Sequence, residues 1–189
     1  MSTTTAPPML QNHVEFQQLL DLYVWRGPER VLEVGVGEGG TLYRWLLYAT
    51  AGARVVALDD RHQNRDAYPS WTPDSVELVT ITGSSHDPDV LLDVAGYRPF
   101  DFIFIDADKA SSDIYFKAIL PMSHPGTVVI VDNVVRDGKV ADAKSEDEDI
   151  QGIRRMTEWL GTQPTISATA IQTVGWKSYD GFLMAIIGT

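Results

Sequence analysis

Apolar runs rich in β-branched residues recur along this chain, and three of them end abruptly in glycine or oxygen-bearing side chains. Val31-Leu32-Glu33-Val34 runs into Gly35-Val36-Gly37-Glu38-Gly39-Gly40, Phe102-Ile103-Phe104-Ile105 into Asp106-Ala107-Asp108-Lys109, and Val128-Val129-Ile130-Val131 into Asp132-Asn133. Runs of this kind read as buried parallel strands whose carboxyl ends deliver polar groups to one rim, where open α/β sheets bind ligands. Helical spacing of apolar positions predicts a helix over 10–25, closed by Gly27-Pro28. Strands are predicted at 30–34, 53–58, 76–82, 101–105 and 127–131. Between them the pattern places helices at 41–50, 87–94 and 111–120, and a short Pro-interrupted helix or loop up to Trp71. A helix at 150–160 precedes two strands, 164–173 and 181–187, joined without a helix. The expected fold is a Rossmann-like three-layer α/β/α sandwich, with a seven-stranded, mostly parallel sheet and an antiparallel edge hairpin. Residues 1–8 read as a disordered leader and 9–189 as a single domain.

Composition narrows the partners. A chain of 189 residues is long enough for one substantial core, and its formal net charge is −11. That balance argues against nucleic acid, which needs a basic footprint, and against an anionic membrane surface. It favours a divalent cation or a cationic small molecule. There are no cysteines, so disulfides, thiolate nucleophiles and thiolate-held metals are excluded. The first residues show neither a basic segment nor an apolar one, and no apolar run approaches the ~20 residues that span a bilayer. A soluble, cytoplasmic protein is expected.

The chemistry sits at the strand ends. Gly35, Gly37 and Gly40 satisfy G-x-G-x-x-G, and Gly35, Gly37 and Gly39 satisfy G-x-G-x-G. Such a loop lets backbone approach a ligand closely, although a plain strand-to-helix turn uses the same residues. Asp59 ends the next strand, where an acid can accept hydrogen bonds from ribose hydroxyls. Glu33 is an acid inside an apolar strand, costly to bury unless partnered. A nicotinamide site has no obvious use for it, whereas the ammonium and sulfonium of S-adenosylmethionine would; the plainer alternative is a strand-end acid satisfied by neighbouring backbone N–H groups. Asp106, Asp132 and Asn133 offer three oxygen donors from two strand ends, a set that suits Mg²⁺, or another divalent cation such as Mn²⁺ or Ca²⁺. Lys109 lies three residues after Asp106, so both can face one pocket; the alternative is an exposed acidic loop with a solvated lysine. A lysine beside a divalent cation loses its proton more readily and can serve as general base. Met9, Arg136, Trp176 and Tyr179 are candidate pocket walls. His13, His62 and His124 read as surface or turn residues. Arg154 and Arg155 read as a solvated helix face or dimer contact.

In the blocks 32–41, 100–109 and 131–140 the chain resembles the metal-dependent catechol and caffeoyl-coenzyme A type O-methyltransferases of the class I S-adenosylmethionine fold. The resemblance runs from about Leu10 to the end. It implies that Glu33 and Gly35 line the methionine end of the cofactor, with Thr41 at its carboxylate, Asp59 at its ribose, and Ser85 and His86 at adenine. Asp108 would be a further cofactor contact, and Gly37 and Gly39 belong to the same cradle. Asp106, Asp132 and Asn133 match the metal ligands, Lys109 the general base, and Asp180 a substrate-side acid. The implied reaction moves a methyl group to a hydroxyl of a small vicinal-diol acceptor, in a homodimer. The helices that precede the first core helix in most relatives, and help form lid and dimer contact, are expected to be missing. The stretches 38–42 and 84–88 are also similar to a group related to cephalosporin-type hydroxylases and sugar methyltransferases, which leaves the acceptor open. Three rivals stand beside this reading. One is a metal-independent sugar or amine methyltransferase with Asp106 or Asp132 as base. The others are a nicotinamide-dependent oxidoreductase and a noncatalytic module that keeps the cofactor site.

Overall fold

Among the described residues seven strands join one sheet, in the order 77–82, 54–59, 30–34, 100–105, 123–132, 179–187 and 166–174. The computed structural model describes residues 6–8, 13–174 and 179–188, which group into two compact units, 1–98 and 99–189. The first unit holds α1 (His13–Arg26), β1 (Arg30–Val34), α2 (Gly40–Leu47), β2 (Arg54–Asp59), α3 (Tyr68–Trp71), β3 (Glu77–Thr82) and α4 (Pro88–Ala95). The second holds β4 (Phe100–Ile105), α5 (Ser112–Ile119), β5 (Ser123–Asp132), α6 (Glu148–Leu160), β6 (Ile166–Val174) and β7 (Tyr179–Ile187). β1, β2 and β3 run parallel, as do β4 and β5, whereas β7 is antiparallel to both β5 and β6. The architecture is therefore the mostly parallel, Rossmann-like sheet with an antiparallel edge that the hydrophobic pattern predicts.

The central strands β1, β2, β4 and β5 form where they do because both of their faces are covered, whereas β3 and β6 at the sheet edges hold no buried residue. Val31, Leu32, Val55, Val56 and Ala57 are fully buried in the first unit, and Phe102, Ile103, Phe104, Val129 and Ile130 in the second. Continuous β-branched runs are what a doubly covered parallel sheet requires. In the first unit the Tyr23 hydroxyl donates to the carbonyl of buried Trp45 at 3.1 Å, fastening α1 to α2.

Among the described residues two boundaries differ from the sequence reading by three or more positions, the others by one or two. α2 stops at Leu47, because Tyr48 leaves helical geometry with φ −106° and ψ 9°. β5 begins at Ser123, four positions earlier than predicted, and its Ser-His-Pro-Gly start has turn composition. Its register against β4 slips between Phe100 and Phe102. There the Thr127 hydroxyl donates to Phe100 O at 2.6 Å and accepts the His124 N–H at 2.9 Å. A hydroxyl thus replaces the ladder bond that the irregularity removes.

Candidate active site

In the first unit the glycine loop leaves β1 with Gly35, Gly37 and Gly39 at φ 85°, 54° and 85°. These are left-handed conformations that side chains rarely adopt. A Cβ on Gly37 would meet nothing within 4 Å, whereas one on Gly39 would lie 2.7 Å from the Trp71 ring. Gly37 is therefore the open side of the cradle and Gly39 its packed floor, from which α2 departs.

Glu33 is wholly buried and accepts a hydrogen bond from the Thr41 hydroxyl in the first turn of α2. Burial, followed by the negative field of Glu33, pushes the Tyr23 hydroxyl far above its ordinary pKa. A buried carboxylate beside glycine backbone is the acceptor that a donating cofactor ammonium fits, so the residues present suit S-adenosylmethionine.

Asp59, the expected ribose contact, has a structural task in the loop. Its Oδ2 accepts the backbone N–H of Val36 at 2.7 Å and of Gly37 at 3.0 Å. Its Oδ1 accepts those of Arg61 at 2.9 Å and His62 at 3.3 Å. Burial pushes its pKa up, but the four N–H donors outweigh that and hold it at about 2, below the ordinary 3.8. A depressed carboxylate contributes its stability above the unfolded-state value, and that contribution fades as pH falls toward the folded value. Asp59→Asn should therefore lower the urea midpoint at pH 7, and the gap from wild type should narrow between about pH 4 and pH 2. A gap that stays constant over that range would show that the charge of Asp59 does not hold the loop.

Ser85 and His86 lie in the turn after β3, Ser85 half-buried and His86 exposed, with the His86 N–H bonded to Ser84 Oγ at 3.2 Å. His62 corrects the sequence reading. It occupies a turn, but it is only 3% exposed. Its Nε2 lies 2.8 Å from Ile81 O, so this nitrogen carries the proton, and Nδ1 faces the Tyr68 hydroxyl at 3.2 Å.

In the second unit, Ile105 pairs with Val131 in the parallel ladder, so Asp106 and Asp132 leave adjacent strands side by side. Asn133 follows at φ 58°, and its N–H bonds to Asp132 Oδ1 at 2.9 Å. Lys109 Nζ donates to Asp106 Oδ1 at 2.7 Å, and its side chain is only 9% exposed. A solvated lysine is thereby excluded. Asp108 caps the next turn by accepting the Ser111 N–H at 3.1 Å, and it also accepts from the Tyr115 hydroxyl. Among the described residues no three His, Cys, Asp or Glu side chains form a metal-binding group. The candidate set is instead two aspartates and an asparagine, hard oxygen donors that fit Mg²⁺.

α6 supports this rim in a way the sequence did not reveal. A Cβ on Gly152 would lie 2.3 Å from Lys109 O and 2.4 Å from Ala110 O. Arg155 donates to Ala110 O at 2.7 Å and pairs with Asp113 at 3.4 Å, and Arg154 donates to Val140 O at 3.2 Å. These arginines tie α6 down within the chain, while Arg155 remains exposed, as a solvated helix face would have it. Asp149, in the first turn of α6, pairs with Arg136 at 3.0 Å. The detectable signal was a glycine inside an otherwise good helix, which points to a close neighbour. Tyr179 and Asp180 bond to the loop after β5. Met9 and Trp176 lie outside the described residues.

The O-methyltransferase family model matches residues 2–183. The chain belongs to the O-methyltransferase family. This family member is 37% identical over 164 residues to a catechol O-methyltransferase of Mycobacterium tuberculosis, covering 84% of this chain and 71% of that one. It is 49% identical over 92 residues to a catechol O-methyltransferase of Niastella koreensis, a match that covers 49% of this chain and 42% of that protein. The structure of an O-methyltransferase from Bacillus cereus in complex with SAH superposes with a TM-score of 0.83 at 40% identity, covering 96% of this chain and 84% of that one. Among the described residues no helix is long and apolar enough to cross a membrane.

Proposed function

We propose that the chain moves a methyl group from S-adenosylmethionine to a hydroxyl of a small catechol-like acceptor, with Lys109 as general base and Asp106, Asp132 and Asn133 as ligands of a divalent cation. The observation that carries this reading is the part-buried Lys109–Asp106 contact of 2.7 Å at the end of β4, one strand from Asp132-Asn133. The names of the relatives, catechol O-methyltransferases of M. tuberculosis and N. koreensis, support the acceptor class.

S-adenosylmethionine supplies an electrophilic methyl on a positively charged sulfur. A divalent cation, bound by the three oxygens, supplies a Lewis acid that makes an acceptor hydroxyl easier to deprotonate. Glu33, with Thr41 bonded to it, would hold the cofactor ammonium, and the Gly35–Gly39 loop would let its backbone approach. Lys109 would take the acceptor's proton while Asp106 keeps the amine aimed through its hydrogen bond. The protein forms no covalent bond to substrate in this scheme, so positioning supplies most of the acceleration. In the same reading residues 9–189 work as one domain of a cytoplasmic homodimer whose ligands are small molecules.

Purified protein with S-adenosylmethionine and a catechol panel should release methylated product when Mg²⁺ is present. Thorough chelation with EDTA should stop the release, and added Mg²⁺ should restore it. Full activity after chelation, with no gain from Mg²⁺, would favour the metal-independent rival with Asp106 or Asp132 as base. Binding of NAD but not of SAH in calorimetry would overturn the methyl-transfer reading altogether.

A further inference from the structure

The loop after β5 is folded around a carboxylate that β7 provides. Asp180 Oδ1 accepts three backbone N–H groups, from Val135 at 3.0 Å, Arg136 at 2.9 Å and Gly181 at 2.9 Å. The Val134 N–H donates to Gly181 O at 3.0 Å, and the Tyr179 hydroxyl donates to Asp137 O at 2.6 Å. The first three residues of β7 therefore grip four successive residues of the loop, Val134 to Asp137.

That grip acts on an unusual backbone. Asn133, Arg136 and Asp137 stand at φ 58°, 52° and 58°, although each carries a Cβ. Non-glycine residues keep such conformations only where the surroundings over-determine them. Asn133 itself lies between Asp132, which is paired with Phe182 in the β5–β7 ladder, and Val134, which is bonded to Gly181. Its backbone direction, and so the aim of its amide oxygen, follows from how the loop is seated.

Building on the assignment of Asp132 and Asn133 as metal ligands, we infer that Asp180 is a positioning residue for that pair. It acts through the backbone at 135 and 136 and does not touch acceptor or cation. What the loop requires from it is an acceptor oxygen at one place. Its negative charge is secondary, which separates this role from that of a substrate-side acid.

Two substitutions distinguish the roles. Asp180→Asn keeps an oxygen that can accept the three N–H groups, and Asp180→Ala removes it. The probe is Mn²⁺ binding, followed by the electron paramagnetic resonance signal of the free ion. Loss of a group that orients metal ligands typically weakens metal affinity ~10–100-fold. Asp180→Ala should fall in that range, whereas Asp180→Asn should stay within about threefold of wild type. Exchange of the 135 and 136 amides, read by NMR, should quicken in Asp180→Ala and be largely restored in Asp180→Asn. Both variants should bind SAH as wild type does, which checks that each is folded.

Equal Mn²⁺ losses in the two variants would overturn the inference in favour of a charge acting directly. Unchanged amide exchange in Asp180→Ala would overturn the positioning role itself. A wild-type protein that fails to bind Mn²⁺ would bring down the metal assignment, and with it the part of this inference that rests on it.

Discussion

Replacing Lys109 by alanine should cut turnover ~10²–10⁴-fold, the usual loss when a general base is removed. Part of any effect could come from stability, because Lys109 is 7% exposed and bonded to Asp106. Breaking a fully buried pair costs about 3–5 kcal/mol. The Asp106 side chain is 24% exposed, so water can solvate the acid that is left and the cost should be well below that range. Lys109→Arg separates the two contributions. A guanidinium keeps the charge and the bond to Asp106 but stays protonated at any working pH. If Lys109 is the base, the arginine variant should unfold at a urea concentration near that of wild type and still lose most of its turnover. Recovery of turnover in Lys109→Arg would reduce the lysine to a fixed positive charge.

Gly152→Ala should be the second large effect, with a sign opposite to the usual one. In an open helix interior, exchanging glycine for alanine gains about 0.5–1 kcal/mol. Here the added Cβ would fall 2.3 Å and 2.4 Å from two backbone oxygens, those of Lys109 and Ala110. Neither oxygen is the end of a flexible side chain, so α6 or the 109–111 turn must retreat. Overpacking of this kind costs about 1–3 kcal/mol, which exceeds the propensity gain. The turn carries Lys109, and a displacement of about 1 Å at a reacting group can cost ~10²-fold in rate. The expected result is a lower urea midpoint and a turnover reduced on the order of 100-fold, with SAH binding retained. A variant that is more stable and fully active would show that α6 does not seat the lysine.

The centre of the sheet was legible because its strands are buried on both faces, and Phe102–Ile105 or Val128–Val131 leave little choice of conformation. The three-residue spacing of Asp106 and Lys109 was legible for a local reason, since one turn brings i and i+3 together. What escaped was non-local. The bonds from Val135 and Arg136 to Asp180 join positions 45 and 44 residues apart, and nothing near either end announces them. The same holds for Gly152 against Lys109, where only a glycine inside a helix hinted at close approach. His62 was misread because a lone histidine in a polar stretch gives no sign that a carbonyl and a tyrosine hydroxyl wait to enclose it. The start of β5 was missed because Pro125 and Gly126 look like a turn, while the hydroxyl of Thr127 quietly replaces the missing ladder bond.

α6 meets the Lys109 turn through Gly152 and Arg155, and the loop after β5 through Asp149 and Arg154. One rigid rod thus braces the proposed proton acceptor and the loop beside the proposed metal ligands. Substitutions on its inner face are then epistatic by construction: a change made to suit a new acceptor near one group is felt at the other. Sequence drift at this rim should proceed by coordinated sets of replacements, while the outer face of the same helix stays free to vary.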